Sequence, residues 1–302
     1  MSVTTTIELP ASARRKTKTR WRGGLLGKDF VWALAFITPY IAVFLLFVLY
    51  PVAYGIWLGS DWHAYQALWD DPIYPSAVVN TLIYLAIGVN LKLFLALLLS
   101  GFFMRKGLWT KTLLLVFMLP WAIPALPSYL SINWMLNGQW GLVNNIIWLL
   151  FQMDGPPWLD SSDMAMGSVI YAHIWKWLPF WTLIFVAGRM AIPRELYEAA
   201  DVDGASTAQK FTQVTLPLMA GLYLVCTLLS TIWALGDYNA VRFISGGGPA
   251  LSSHVLATLG IRNAFELGDP GLGMATVLTA LPLLIPLVIL LMRQLRRNEV
   301  TI

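Results

Sequence analysis

Charge, cysteine and histidine are all scarce in this 302-residue chain, and each scarcity excludes a class of protein. Charged residues make up 12% and apolar residues 58%, whereas an ordinary soluble domain is about 25% charged. That surface could not be solvated, so the chain is expected to be an integral membrane protein. The one cysteine, Cys226, lies in an apolar run, which leaves no internal disulfide and no thiolate cluster. The three histidines, His63, His173 and His254, are far apart and show no metal-ligand spacing. A Gly-Lys pair, Gly27-Lys28, lacks the glycine spacing and the following Ser/Thr of a phosphate-binding loop. No Ser/His, paired Asp or HExxH constellation stands at membrane depth, so no catalytic site, metal or cofactor is expected in this chain. The net charge of +4 is no nucleic-acid signature either, because the basic residues clump at segment ends.

Long apolar runs are what the chain does have. A spanning helix needs about 20 predominantly apolar residues. Six segments qualify: 31–57, 77–103, 112–135, 165–190, 217–238 and 271–292. The first would extend ~40 Å as a helix, too long for the short apolar stretch of a secretory signal. Residues 1–28 then form a basic tail, and 29–302 an all-α, six-helix membrane domain. The segment 139–151 is apolar but short, and reads as a helix lying along the interface. The fifteen Trp, eleven Tyr and fourteen Phe suit the two membrane–water boundaries.

The positive-inside rule orients these spans. With the N-terminus in the cytoplasm, its seven basic residues (Arg14, Arg15, Lys16, Lys18, Arg20, Arg22 and Lys28) share a side with nine others. Those are Arg105, Lys106, Lys111, Arg189, Arg194, Lys210, Arg293, Arg296 and Arg297, which makes sixteen of the twenty Lys and Arg residues. The opposite loops carry Asp61, Asp70, Asp71, Asp154, Asp160 and Asp163. Both termini are therefore expected to be cytoplasmic.

One cytoplasmic loop, within 189–217, is polar yet ordered in pattern. Pro193 suits the first turn of a short helix and Gly204 its end. Ser206 and Gln209 read as a capping box opening a second helix, and Pro217 stands where the next span begins. Ala199 and Ala200 leave a nearly bare flank that another surface could approach. On the residues alone, a docking site and an inert amphipathic loop both remain open.

The spacing Glu198-Ala199-Ala200, three residues, Gly204, nine residues, Val214, one residue, Leu216-Pro217 resembles the EAA loop of ABC importer permeases, with Val214 in place of the usual Ile. Further motifs are similar to the carbohydrate-uptake branch, which includes maltose-type and glycerol-phosphate permeases. These are Ile244-Ser245-Gly246-Gly247-Gly248-Pro249, with Ser245 for the usual Thr, Gly141-Leu142-Val143-Asn144-Asn145 with Trp158-Leu159, and Trp175 with Pro179-Phe180. The resemblance covers roughly residues 31–292. It implies a type I ABC importer permease fold in a bacterial or archaeal inner membrane. It also implies a second and usually different permease, two cytoplasmic ABC ATPases that carry ATP and Mg, an extracytoplasmic binding protein, and a carbohydrate substrate moved by alternating access. Glu198, Ala199, Ala200, Asp203 and Gly204 would then receive the ATPase, whose closure would move the docked helix. A secondary transporter or channel is the rival, but such folds often carry inverted repeats and none is evident.

For the substrate path, the resemblance implies Trp121 and Ala125 on the third span. It implies Lys176, Trp177 and Phe180 on the fourth, and Trp233, Ala234 and Asp237 on the fifth. Two of these positions, Ala and Asp here, are usually Asn in the family. Intramembrane charges are functional suspects because a charge at a helix centre costs about 2.5–3.5 kcal/mol on insertion scales. Lys92 can also be read as snorkelling or as paired with an acid of a partner subunit, and the aromatics as packing. Trp233 and Asp237, four apart, are expected on one helical face, with Lys176 free to bind an anionic or hydroxyl-rich ligand, or to pair with Asp237 when the site is empty. Pro120, Pro124 and Pro127 are expected to bend the third span and free backbone carbonyls. The orientation predicts that, after Cys226→Ala, a membrane-impermeant thiol reagent labels Asp70→Cys and not Lys210→Cys on intact cells.

Overall fold

The computed structural model describes residues 28–299, so the expected basic tail, up to Gly27, lies outside the described residues. The described residues fold into helices joined by short turns, with no strand among them. Internal contacts divide the chain after Tyr54. The N-terminal unit is one apolar helix, with Pro39 inside it and a π turn at Leu45–Leu49. It belongs to the span α1, Trp32–Leu58.

The second unit begins at Gly55 and holds the remaining spans. They are α3 (Tyr74–Phe103), a broken pair α4 (Leu108–Ala122) and α5 (Ala125–Met135), α7 (Ser162–Met190), α9 (Thr207–Leu235) and α12 (Pro270–Arg296). Shorter helices connect them: α2 (Trp62–Asp70), α6 (Leu142–Phe151), α8 (Arg194–Val202), α10 (Tyr238–Ile244) and α11 (Leu256–Ile261). Six apolar crossings result when the bent pair is taken as one, as the hydropathy pattern predicts. The core runs along α3 and α7, where Tyr84, Leu93, Leu97, Val169, Trp181 and Phe185 are buried together.

Two expectations change in detail. The third span is not one helix but two, meeting at 94° across Ile123–Pro124. The fifth begins at Thr207, ten residues before the expected start, because a π turn at Phe211–Thr215 carries the helix into Pro217. A π turn shifts the hydrogen-bond register locally, so the missing N–H of Pro217 does not end the helix.

Small residues let α12 pack closely against α11 and the turn after it. A Cβ on Gly273 of α12 would lie 2.5 Å from Ala264 Cβ and 2.6 Å from the Gly260 carbonyl, and one on Gly260 3.0 Å from the Gly273 carbonyl. In lipid, where helix association depends on close packing rather than on expulsion of water, such pairs are favoured. Gly273→Ala is therefore expected to cost about 1–3 kcal/mol, read as a lowered melting temperature of the purified protein in detergent, with Gly221→Ala, where a Cβ meets open space, as control.

Candidate substrate cavity and coupling surface

The break in the third span follows from three prolines. In a helix the carbonyl of residue i accepts from the N–H of residue i+4. The acceptor at Pro120 would need the N–H of residue 124, and the one at Ile123 that of residue 127; both are prolines, which have none. Lys176, buried on α7, supplies both: its Nζ donates to the Pro120 carbonyl at 2.7 Å and to the Ile123 carbonyl, with Ser128 Oγ at 3.4 Å. An ammonium at this point also faces the negative end of the α4 dipole. The expectation that Lys176 pairs with Asp237 is thus corrected. Its donors are committed to backbone that proline chemistry left bare.

Asp237 has other partners. Its Oδ2 accepts from the Tyr84 hydroxyl at 2.8 Å and lies 3.0 Å from His173 Nδ1, while its Oδ1 accepts from the Ala240 N–H at 3.2 Å. On the far side of the imidazole, Lys92 Nζ is 2.8 Å from His173 Nε2. Lys92 is 1% exposed and His173 3%, so the lysine does not snorkel, and the acid it is coupled to lies in its own chain. Neither Lys92, His173 nor Tyr84 belongs to the set expected for the substrate path. An intramembrane Lys and an Asp on different spans were the visible signal, but nothing in their spacing placed His173 between them.

The aromatics expected along the path do converge. Trp121 stacks on Phe180 with ring centres 5.7 Å apart, Phe180 lies 5.7 Å from Trp233, and Trp177 lies 6.0 Å from Trp233. Trp181, not among the expected residues, joins them 5.6 Å from Trp233. Trp233 is 48% exposed. Trp233 and Asp237 meet by a route other than the one expected. Helix α9 ends at Leu235, and Asp237 caps the next helix, α10, so the two do not share a helical face. Even so, both line one cavity of about 190 Å³, together with Lys92, His173, Trp177 and Trp181. Ala234, 2% exposed, is packed into the core, and half-buried Ala125 packs against it. Two larger cavities, of about 540 and 340 Å³, lie along α5, α6 and α7 and share Leu136, Val143 and Tyr171. Their lining is mostly apolar, and the convergent aromatic and charged groups stand in the smaller one.

Opposite ends of the spans carry two built surfaces. The helix α8 begins at Arg194 with Pro193 as its N-cap, one residue later than the sequence suggests, and Gly204 follows its end at φ +75°. A residue with a branched Cβ is an outlier at that φ. Ser206 and Gln209 cap α9 reciprocally, at 2.7 and 3.3 Å. Glu198, Ala199, Asp203 and Gly204 are exposed, Ala200 is half-buried, and Val202 is 88% exposed. Two contacts tie the hairpin to itself: Tyr197 Oη to Thr215 Oγ1 at 2.9 Å, and Lys210 to Asp201 at 2.5 Å. Elsewhere, Trp158 donates to Asn144 Oδ1 at 2.7 Å, while Asn144 donates to the carbonyls of Gly138 and Pro156. Residues 245–254 are pinned by Asn80, which donates to the carbonyls of Ser252 and His254. Gly247 lies so near the His254 ring that a Cβ would approach it to 2.3 Å. The glycine-rich and Asn-Asn motifs are therefore folding devices as well as sequence markers.

A polytopic bundle with a broken span, an aromatic-lined cavity and an exposed helical hairpin defines a membrane permease. Residues 92–299 match the family of binding-protein-dependent transport system inner membrane components, and the chain belongs to that family. It is 32% identical to the sulfoquinovosyl glycerol transport system permease protein SmoG of Agrobacterium fabrum, over 91% of this chain and 94% of that protein. It is 37% identical to the trehalose/maltose transport system permease protein MalF of Thermococcus litoralis, over 53% of this chain and 54% of that one. Among solved structures it superposes on a chain of a bacterial alginate ABC transporter, crystallised with an alginate pentasaccharide-bound periplasmic protein. The TM-score is 0.81 at 21% identity, covering 91% of this chain and 98% of that one.

The geometry of Lys176 generates a prediction. Lys176→Met strands two part-buried carbonyls, at about 1–3 kcal/mol for each group left unsatisfied away from water. It is expected to lower the melting temperature and the yield of the folded protein, while Lys176→Arg, which keeps the donors, retains most of both. Normal yield and melting of Lys176→Met would contradict the capping role.

Proposed function

We propose that this chain forms half of the translocation path of an ATP-driven carbohydrate importer and receives its ATPase at the hairpin 189–217. The observation that carries the coupling role is the exposed α8, ending in Val202 and turned by Gly204 at positive φ. A helix whose apolar tip is exposed, but whose base is fixed by the Tyr197–Thr215 hydrogen bond, is a rigid plug for a socket in another protein. Glu198, Ala199, Ala200, Asp203 and Gly204 would contact that socket. ATP and Mg would be bound by the ATPase, present in two copies, and not by this chain.

The carbohydrate assignment rests on the cavity and on kinship. Stacked aromatics suit the C–H faces of a sugar, while Asp237 and Asn239 at the same cavity suit its hydroxyls. The named relatives belong to transport systems for sulfoquinovosyl glycerol and for trehalose and maltose. In this reading Trp121, Trp177, Phe180 and Trp233 form the stacking wall and Asp237 the polar end. Lys176, Ala125 and Ala234 shape the wall from behind. A second permease, different from this one as is usual in such importers, would close the path, and an extracytoplasmic binding protein would deliver substrate. Both termini would be cytoplasmic. Nucleotide-driven closure of the ATPases would act through its different affinity for the inward-open and outward-open states. A transporter without an ATPase has no observation in its favour once family membership is established.

Gly204→Val and Glu198→Lys are expected to reduce both uptake and substrate-stimulated ATP hydrolysis severely in the reconstituted importer, while membrane insertion stays normal. Unimpaired coupled transport in both variants would refute the coupling role.

A further inference from the structure

The hydrogen-bond logic of the buried network assigns it a charge state. An ammonium is donor-only, so the nitrogen it meets on His173, Nε2, must accept. The imidazole is then neutral, with its proton on Nδ1, shared between the Tyr84 hydroxyl oxygen at 2.6 Å and Asp237 Oδ2 at 3.0 Å. Tyr84 donates to the same oxygen and the Ala240 N–H to the other. Asp237 thus accepts three donors as a carboxylate, and a Lys–His–Asp relay carries one positive and one negative charge from α3 through α7 to the turn after α9. Lys92 makes this one hydrogen bond, and otherwise faces the Trp181 ring, 6.0 Å away, and the cavity.

We propose that Lys92 and Asp237, joined through His173, are one charge-balanced unit that forms the polar wall of the cavity and restricts it to uncharged, hydroxyl-bearing ligands. This inference rests on the carbohydrate reading above and narrows it. A carboxylate has about four lone-pair positions; three donors reach Asp237, which leaves one acceptor position, with the Lys92 ammonium across the imidazole from it. A hydroxyl both donates and accepts, so different hydroxyls of one sugar ring match the carboxylate and the ammonium in turn. An anionic sugar gains nothing from a wall whose charges cancel, and it loses hydration on entering. Lys92 and His173 are positioning residues here: they fix the charge and orientation of Asp237. Removing one member leaves the other charge buried and unpaired, which is far worse than removing both.

The experiment uses the assembled importer in nanodiscs, with tryptophan fluorescence as readout because Trp177, Trp181 and Trp233 line the cavity. The probes are the methyl glycosides of glucose, galactose and mannose, and the matching methyl uronides, which differ only by a carboxylate for a hydroxymethyl group. The wild type is expected to bind the neutral series about tenfold tighter than the uronides, and Asp237→Asn, with a bare cation in the wall, to reverse that ratio. Lys92→Met/Asp237→Asn, neutral again, returns the preference to the neutral series. A merely structural role would weaken both series together, so an unchanged ratio in Asp237→Asn overturns the proposal. The double variant is also expected to assemble with its partners better than Lys92→Met alone; equal or poorer assembly overturns the charge pairing. If no probe of either series binds the wild type, the carbohydrate reading falls, and the assembly comparison still decides whether the two residues are one unit.

Discussion

The hydrocarbon of a bilayer offers no water to a backbone N–H or carbonyl, so each one must find its partner inside the protein. Most of this chain meets that demand with uninterrupted helix. The third span does not: Pro124 and Pro127 remove two donors within four residues, and the chain turns through 94° at that point. Such a turn can persist at membrane depth only with a substitute donor, and Lys176 Nζ is that donor. The lysine also resolves its own difficulty there, since a buried ammonium needs acceptors as much as bare carbonyls need donors. Trp121 is in the last turn before the break, so the same contact fixes where its ring meets Phe180. A polar contact between α4 and α7 thereby positions the aromatic cluster, whose members Trp177 and Trp233 reach the cavity.

The second polar cluster follows the same rule with side chains only. Lys92, His173, Asp237 and Tyr84 come from α3, α7 and the turn between α9 and α10, and each supplies what the next one lacks. Low dielectric makes such a chain costly when incomplete and specific when complete. Its position is informative: Asp237 stands where α9 stops and α10 begins, so one carboxylate both caps a helix and faces the cavity.

Much of the architecture was legible in the sequence because lipid imposes simple lengths. Six apolar runs gave six crossings, and the Ser206–Gln209 box and Gly204 gave the hairpin, since caps and positive φ are local chemistry. The span ends were less legible. Thr207, not Pro217, begins α9 because a π turn absorbs the proline, and period counting does not detect such a turn. The aromatic residues of the candidate site were foreseen as a set, yet their charged neighbours were mispaired. Lys176 and Asp237 are the two ionisable residues nearest the aromatics in sequence, but the partners of Lys176 are carbonyls, which carry no side-chain signature. His173 looked like an isolated histidine because its partners Tyr84, Lys92 and Asp237 are 89, 81 and 64 positions away.

The helix α9 connects the two ends of the molecule without a loop. It starts beside the hairpin 189–217, which is clamped to it by Tyr197 and Thr215, and it carries Trp233 near its other end. Between Thr207 and Trp233 lie about 40 Å of helix. A stiff rod of that length turns a tilt of a few degrees at its base into a sideways sweep of several ångströms at its tip. The cavity wall can therefore be displaced mechanically from outside the bilayer, with no rearrangement of the intervening side chains and no signal passed from residue to residue.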